Sequence, residues 1–431
     1  MPNHPRSLCP LLRERIRRRS VVVLTGARQT GKTTLVRDLL PQAGGPDSVY
    51  ISLDDPDERI RLASDPVRRL DLGRKLVVLD EIQKQPALLD AVKFLADRGE
   101  GRRFLLLGSS QVLLLQKVRE TLAGRSTLLD LWPLALAERA DGTVVPESGL
   151  DRIWRKGVKG IRDLADSSPS SDEERLWKGR AEDHLVWGGF PALEPLPENE
   201  RRTWLQDFRR TYLERDLADL GRVADLDQFA LAQNLLAART GQILSLSEVS
   251  RDLGVAVNTV GRYVRFLEIS YQAYLLRPWR TSPTTRLIKS PKLYWTDPGL
   301  ARYLTERGDP GDGSIYESYV LGELLRWGSG QAEPPSLYFY RTSGGREVDF
   351  LLKDPKRIVA VEAKAGRRAD RHDARSLVEV LGDLSGPGID GKTSRTGIVV
   401  TRGREIEELA PGVWAVPDWR LFGPAWRNNR A

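Results

Sequence analysis

The chain has 431 residues, 40% of them apolar and 29% charged, and a formal net charge of +8. That length supports two to four domains with cores of their own, and no apolar run approaches the roughly 18 residues that a membrane-crossing helix needs. The basic balance favours an acidic partner, while a single cysteine, Cys9, with only His4, His184 and His372 beside it, excludes an internal disulfide and a Cys/His metal cluster.

Residues 1–20 lack the apolar segment and small-residue cleavage site of a secretory signal, so a cytoplasmic protein without a membrane partner is expected. Val21–Leu24 then read as a buried parallel strand. It runs into Gly26-Ala27-Arg28-Gln29-Thr30-Gly31-Lys32-Thr33-Thr34 and a helix with Leu35, Leu39 and Leu40 at apolar positions. This is the Walker A pattern, set between a strand and a helix as it must be. Two glycines let the backbone turn with its N–H groups inward, Lys32 reaches the terminal phosphates of a nucleotide, and the Thr33 hydroxyl can ligate magnesium.

A second apolar strand, Leu76–Leu79, ends in Asp80 and Glu81. Asp80 is placed to hold magnesium through water, and Glu81 to polarise an attacking water as general base. Binding alone does not need Glu81, so the pair predicts ATP hydrolysis. A third strand, Phe104–Leu107, leads through Gly108 to Ser109 and Ser110, where Ser110 is the candidate for a hydroxyl near the γ-phosphate. Strands alternating with helices predict a parallel sheet with its ligand at the strands' C-terminal edge.

These segments, TGARQTGKTT, LVVLDEIQK, LLLGSSQVLLL and ETLAGRS, resemble the AAA-type ATPase domain of a bacterial and archaeal family. Its members carry a C-terminal domain of unknown function (DUF4143-like). WGGFPAL, TYLERDL and YRTSGGREVDFLL are similar to that second part, so the resemblance spans nearly the whole chain. It implies an ATPase core joined to a DNA-linked half. Arg125 in LAGR and Arg215 in YLERD are the candidates for an arginine that completes the nucleotide site, from the same chain or from a neighbour in a homo-oligomer.

Residues 141–172, with the polar run Ala165–Glu174 reaching just past their end, are expected to form a flexible linker. Beyond them the pattern is helical, and Trp204, Phe208, Tyr212 and Leu213 recur at helical spacing as a core stripe. Residues 245–268 read as a helix-turn-helix, with Ser247 as cap, a turn at Gly254, and Val260, Val264 and Leu267 facing inward. Ala273–Leu276 and Lys292–Trp295 supply candidate wing strands. In a DNA reader Asn258, Arg262 and Arg265 would face the major groove, and Arg239–Asp309 carries eleven Lys/Arg against six Asp/Glu.

The last segment begins with a helix containing Glu317 and continues through VDFLL, with Asp349, to VEAK, with Glu362 and Lys364. On adjacent strands Asp349 and Glu362 can converge on one magnesium, and alternation places Lys364 on the face of Glu362. The arrangement resembles the PD-(D/E)xK restriction-endonuclease-like fold, used either to cleave DNA or only to bind it. The sequence thus predicts an α/β chain of three units: an AAA-type P-loop ATPase domain (1–140), a helical and winged-helix region (173–310) beyond the linker, and a nuclease-like domain (311–431). ATP and Mg2+ are the expected ligands and DNA the expected partner. An ATP-gated nuclease and a signalling ATPase that binds a protein remain as alternatives.

Overall fold

The computed structural model describes residues 4–43, 48–73, 75–99, 101–108, 120–213, 225–279, 290–306, 309, 311–342, 344–384, 389 and 393–426. The first layer is a parallel sheet of β1 (Val21–Thr25), β2 (Ser48–Ser52), β3 (Leu76–Asp80), β4 (Arg103–Leu107) and β5 (Ser126–Asp130), in the order β2-β3-β4-β1-β5. β1 is buried throughout, and apolar up to Thr25, because helices cover both faces. Val22 and Leu24 pack with Leu12, Ile16, Leu35 and Val36, while Val21 and Val23 pack with Leu89, Val92 and Leu95 on the other side. The loop between β1 and the helix Lys32–Ala43 therefore leaves the sheet at its C-terminal edge, beside the ends of β4 and β5 and one strand from that of β3.

Residues 141–172 are not a flexible linker. They contain the helices Gly149–Lys156 and Val158–Ala165, and Leu150, Ile153, Trp154, Ile161 and Leu164 are buried in the largest core of the molecule. Each such side chain contributes roughly 1.5–3 kcal/mol on burial, which outweighs the polar composition that suggested disorder. Two serines here are helix caps, Ser170 inside the polar run and Ser148 well ahead of it. Ser148 pairs reciprocally with Asp151, and Ser170 with Glu173 at the start of Ser171–Trp187.

Further on, the helices Leu246–Leu253 and Val257–Ile269 are joined by a short turn with Gly254 at φ 67°. Ser245, not Ser247, caps the first of them by accepting from Glu248 N. Ser247 lies one turn-position too late, inside the helix. The pair rests on a small antiparallel sheet of β6 (Gln242–Ile243), β7 (Ala273–Leu276) and β8 (Lys292–Trp295), in the order β6-β8-β7. Val260, Val264 and Leu267 face inward, and Trp204 and Phe208 stack on each other against Phe190, so the aromatic stripe is core.

The last segment has a mixed sheet of β9 (Ser336–Arg341), β10 (Glu347–Lys353), β11 (Arg357–Lys364), β12 (Ser394–Thr401), β13 (Glu407–Ala410) and β14 (Val413–Pro417), in the order β13-β14-β12-β11-β10-β9. One face packs on the helix Gly313–Ser329 and the other on Arg375–Asp383. The first of these faces shares a continuous core with the helical region, from Leu136 through Trp295 and Tyr316 to Trp419. Among the described residues no helix is long and apolar enough to cross a membrane.

Candidate functional site

At the end of β1 the loop 26–31 turns under tight steric control. Gly26 has φ 150°, and a Cβ there would lie 2.1 Å from the Leu131 carbonyl oxygen, so only glycine fits. Gln29 (φ 64°) and Gly31 (φ 88°) complete the turn, and the Thr30 hydroxyl donates to the Ala27 carbonyl at 2.9 Å. Lys32 is buried and its Nζ donates to the Gly26 and Ala27 carbonyls at 2.9 and 2.7 Å. The ammonium is thus held by the loop at the helix N-terminus, where phosphate oxygens can replace neutral carbonyls as its partners. Arg28 is half-buried and its charge acts on Glu81, and Thr34 is exposed in the first turn of the helix.

Across the sheet, the Thr33 hydroxyl donates to Asp80 Oδ2 at 2.9 Å, the Tyr50 hydroxyl donates to the same oxygen, and the Glu81 amide donates to Asp80 Oδ1 at 2.9 Å. Glu81 stands in the left-handed region at φ 54° and its carboxylate accepts from Gln83 Nε2. Burial, then the charge of Asp80, raises the Glu81 pKa above the usual carboxylate range. A hydroxyl and a carboxylate facing one point beside the phosphate loop suit magnesium completed by phosphate and water oxygens. The donor set fits that ion. Tyr50 was not foreseen, since it comes from β2 with no local motif.

A cavity of about 690 Å³ lies between the helix Ser171–Trp187 and the ends of β11 and β12, and a second of about 530 Å³ opens beside the loop. The second is walled by Gly31, Thr34 and Leu35, by the N-terminal segment at Arg6 and Cys9, and by Trp327 and Gln331 of the third segment. It has the volume of a ligand pocket and adjoins the start of the helix that follows the loop. No sequence signal marks it, because its walls come from separate parts of the chain.

Arg125 does not reach this site. It precedes Ser126, which pairs with Val21, whereas the loop follows Thr25, which pairs with Asp130. That is roughly 13 Å along the strand, at the opposite edge, and its guanidinium is ion-paired with Asp97. Ser110 and Arg215 lie outside the described residues. Asn258, Arg262 and Arg265 are all exposed on one side of Val257–Ile269, at i, i+4 and i+7.

The C-terminal carboxylates do converge. Asp349 and Glu362 lie one step beyond the Phe350↔Val361 pair on β10 and β11. Asp349 Oδ2 accepts from the Ala363 amide at 2.9 Å, Lys364 Nζ donates to Glu362 Oε1 at 3.0 Å, and Glu317 accepts from the Tyr294 hydroxyl at 2.9 Å. The unforeseen member is Lys292, from β8. Its buried ammonium contacts Glu347 and lies 3.7 Å from Asp349 and 3.8 Å from Glu317.

Burial, then the charge of Asp349, raises both Glu317 and Glu362 to about 8, and burial raises Asp349. Burial opposes the Lys292 charge, but Asp349, Glu317 and Glu347 outweigh it and lift its pKa. Among the described residues no three His, Cys, Asp or Glu side chains are disposed to hold a metal ion. Of the three carboxylates expected to hold magnesium, Glu317 and Asp349 lie with Glu347 around the Lys292 ammonium, and Glu362 is paired with Lys364.

Residues 18–140 match the AAA domain family, residues 179–311 a domain of unknown function (DUF8612), and residues 312–421 another (DUF4143). The uncharacterized protein Rv2008c of Mycobacterium tuberculosis is 32% identical over 382 residues, covering 86% of this chain and 76% of that one. The uncharacterized protein MJ1544 of Methanocaldococcus jannaschii is 22% identical over 377 residues, covering 84% and 79%. Among solved structures, the Walker-type ATPase of Pyrococcus abyssi aligns with a TM-score of 0.44 and 15% identity, covering 70% of this chain and 99% of that one. This chain therefore belongs to one family with the mycobacterial protein, and within it an AAA domain is followed by the two domains of unknown function.

Proposed function

We propose that the chain binds and hydrolyses ATP and couples that cycle to engagement of DNA. The observation that carries the first part is the meeting of Lys32, Thr33, Asp80 and Glu81 at one edge of one sheet. Lys32 exchanges its loop carbonyls for phosphate oxygens, and Thr33 with Asp80 would hold a magnesium ion, which would neutralise phosphate charge. Glu81 takes the proton of the attacking water. Its raised pKa keeps it basic enough for that task.

The DNA reading treats Leu246–Leu253, Val257–Ile269 and the sheet β6-β8-β7 as a winged helix, with Asn258, Arg262 and Arg265 toward the groove. Arg367 and Arg368, which line the cavity at the ends of β11 and β12, add phosphate-attracting charge. The third segment acts in this reading as a nuclease-like module that binds without cutting. A second reading, a magnesium-dependent nuclease gated by ATP, is favoured by the convergence of Asp349, Glu362 and Lys364 and opposed by Lys292 among them.

The test is ATP turnover with and without magnesium and duplex DNA, run on the wild type, Lys32→Ala and Asp349→Ala, with DNA binding followed by anisotropy across a salt series. Turnover lost in Lys32→Ala and stimulated by DNA supports the reading. DNA that neither binds in a salt-dependent way nor alters turnover removes the DNA part and favours a signalling ATPase with a protein partner. Cleavage that vanishes in Asp349→Ala establishes the nuclease instead.

A further inference from the structure

The nucleotide loop is not an isolated turn. It rests on residues 130–132, the last residue of β5 and the two that follow it, and each of the three makes a different contact. The Leu131 amide donates to the Thr25 carbonyl at 2.7 Å, and its own carbonyl closes on Gly26. The Trp132 carbonyl accepts from Arg6 Nη2 at 2.5 Å, and Arg6 Nη1 donates to the Thr30 carbonyl at 2.7 Å. Asp130 is the remaining member, and it accepts from the Thr25 hydroxyl at 2.8 Å.

The same Asp130 oxygen accepts from the hydroxyl of Tyr271, which also lies 2.8 Å from Thr25 Oγ1. Tyr271 belongs to neither β1 nor β5. It follows the end of the helix Val257–Ile269 and its ring meets Trp132 edge-on at 5.0 Å. Its backbone is in the left-handed region, φ 60°, a place that glycine takes at low cost and a tyrosine does not. That conformation is held by the Thr296 hydroxyl, which donates to the Tyr271 carbonyl at 2.5 Å, and by the Tyr271 amide, which donates to the Glu268 carbonyl at 3.0 Å. A strained residue at such a junction points to a working contact.

We propose that Tyr271 is a positioning residue for nucleotide binding: its hydroxyl, shared with Thr25 and Asp130 one residue before the loop, ties the geometry of the loop to the position of the two-helix unit 246–269. The inference rests on the nucleotide reading above. Any shift of Thr25 on nucleotide binding changes the partners of the Tyr271 hydroxyl, and any displacement of the two-helix unit changes the support of the loop. Coupling of this kind is reciprocal. It also names how occupancy at Lys32 reaches Asn258, Arg262 and Arg265, which lie on the helix that Tyr271 follows.

The experiment uses the full chain and compares wild type, Tyr271→Phe and Thr25→Val, each removing one hydroxyl and keeping most of the volume. Amide hydrogen exchange of residues 246–269 is measured with and without Mg-ATP, alongside kcat and KM. In the wild type, Mg-ATP changes exchange in this segment. In Tyr271→Phe that response is lost and KM rises by roughly fivefold or more, the scale of a modest coupling, while kcat changes by less than about twofold. Thr25→Val gives the same pattern, which guards against misfolding of the first variant. An unaltered exchange response and unaltered KM in both variants overturns the proposal, and so does a wild type that binds ATP without any response in 246–269. A wild type that binds no ATP overturns the nucleotide reading itself, a distinct outcome.

Discussion

The nucleotide loop and the C-terminal carboxylate cluster each centre on a buried lysine, and the two lysines do opposite work. Lys32 is held by neutral carbonyls of its own loop, which it can exchange for an incoming anion. Lys292 is held by Glu347 with Asp349 and Glu317 close by, so it already has its anions. On the proposed reading the first ammonium trades neutral carbonyls for phosphate; the second serves as the permanent counter-charge of a crowded acidic site. A lysine's partners, more than its burial, decide which task it has.

The largest effect expected from this contrast is functional. Lys32→Met should lower ATP turnover by about 10³-fold, on the scale of losing a principal transition-state contact, and leave the melting temperature almost unchanged, because its carbonyl partners remain satisfied by water. A steady-state assay and a thermal melt check both halves. Lys292→Met should do the reverse. Removing it leaves buried carboxylates without a counter-charge and should cost about 3–5 kcal/mol in unfolding free energy, read by denaturant titration, with ATP turnover in the folded fraction within about threefold of wild type.

The pH dependence sharpens the same point. Glu317 and Glu362 are raised in the fold to about 8 from an ordinary value of 4.5, so between those values the folded state holds more protons than the unfolded one. Stability therefore falls as pH rises through this window and levels off above about 8. His184, buried and held well below its usual 6.5, acts in the opposite sense, but only below that value. Melts between pH 6.5 and 8.5 read these two carboxylates together with the buried Glu323 and Asp418, both raised to about 7, and should show a decline of several degrees. A flat profile would mean that Lys292 and Lys364 already compensate the cluster fully. The smallest effect belongs to Arg125→Ala. Its partner is Asp97 at the far edge of the sheet, so turnover by one chain should stay within about twofold, whereas a larger loss would place this arginine in a neighbouring copy's site.

Much of the nucleotide site was legible in the sequence because its parts are local. Gly26 to Thr34 are contiguous, and Asp80 and Glu81 end a strand of the same parallel sheet, where topology alone brings strand ends to one edge. The polar composition of residues 165–174 hides a cap, because Ser170 three residues ahead of Glu173 is a helix start. Asp349, Glu362 and Lys364 were also legible, through strand alternation on β10 and β11.

By itself, then, the sequence determined the phosphate loop, its acidic partners, the two-helix unit and the paired carboxylates, since each is fixed by spacing within one or two elements. The tertiary structure alone decided what stands beside them. Lys292 enters the acidic cluster from a strand more than fifty residues before Asp349 in the chain, Trp327 and Gln331 wall a cavity at the loop of the first domain, and Tyr271 reaches Asp130 across the junction of two units. Such contacts depend on how separately formed elements dock, and docking is set by complementary apolar faces spread over the whole chain, which leave no local pattern to read.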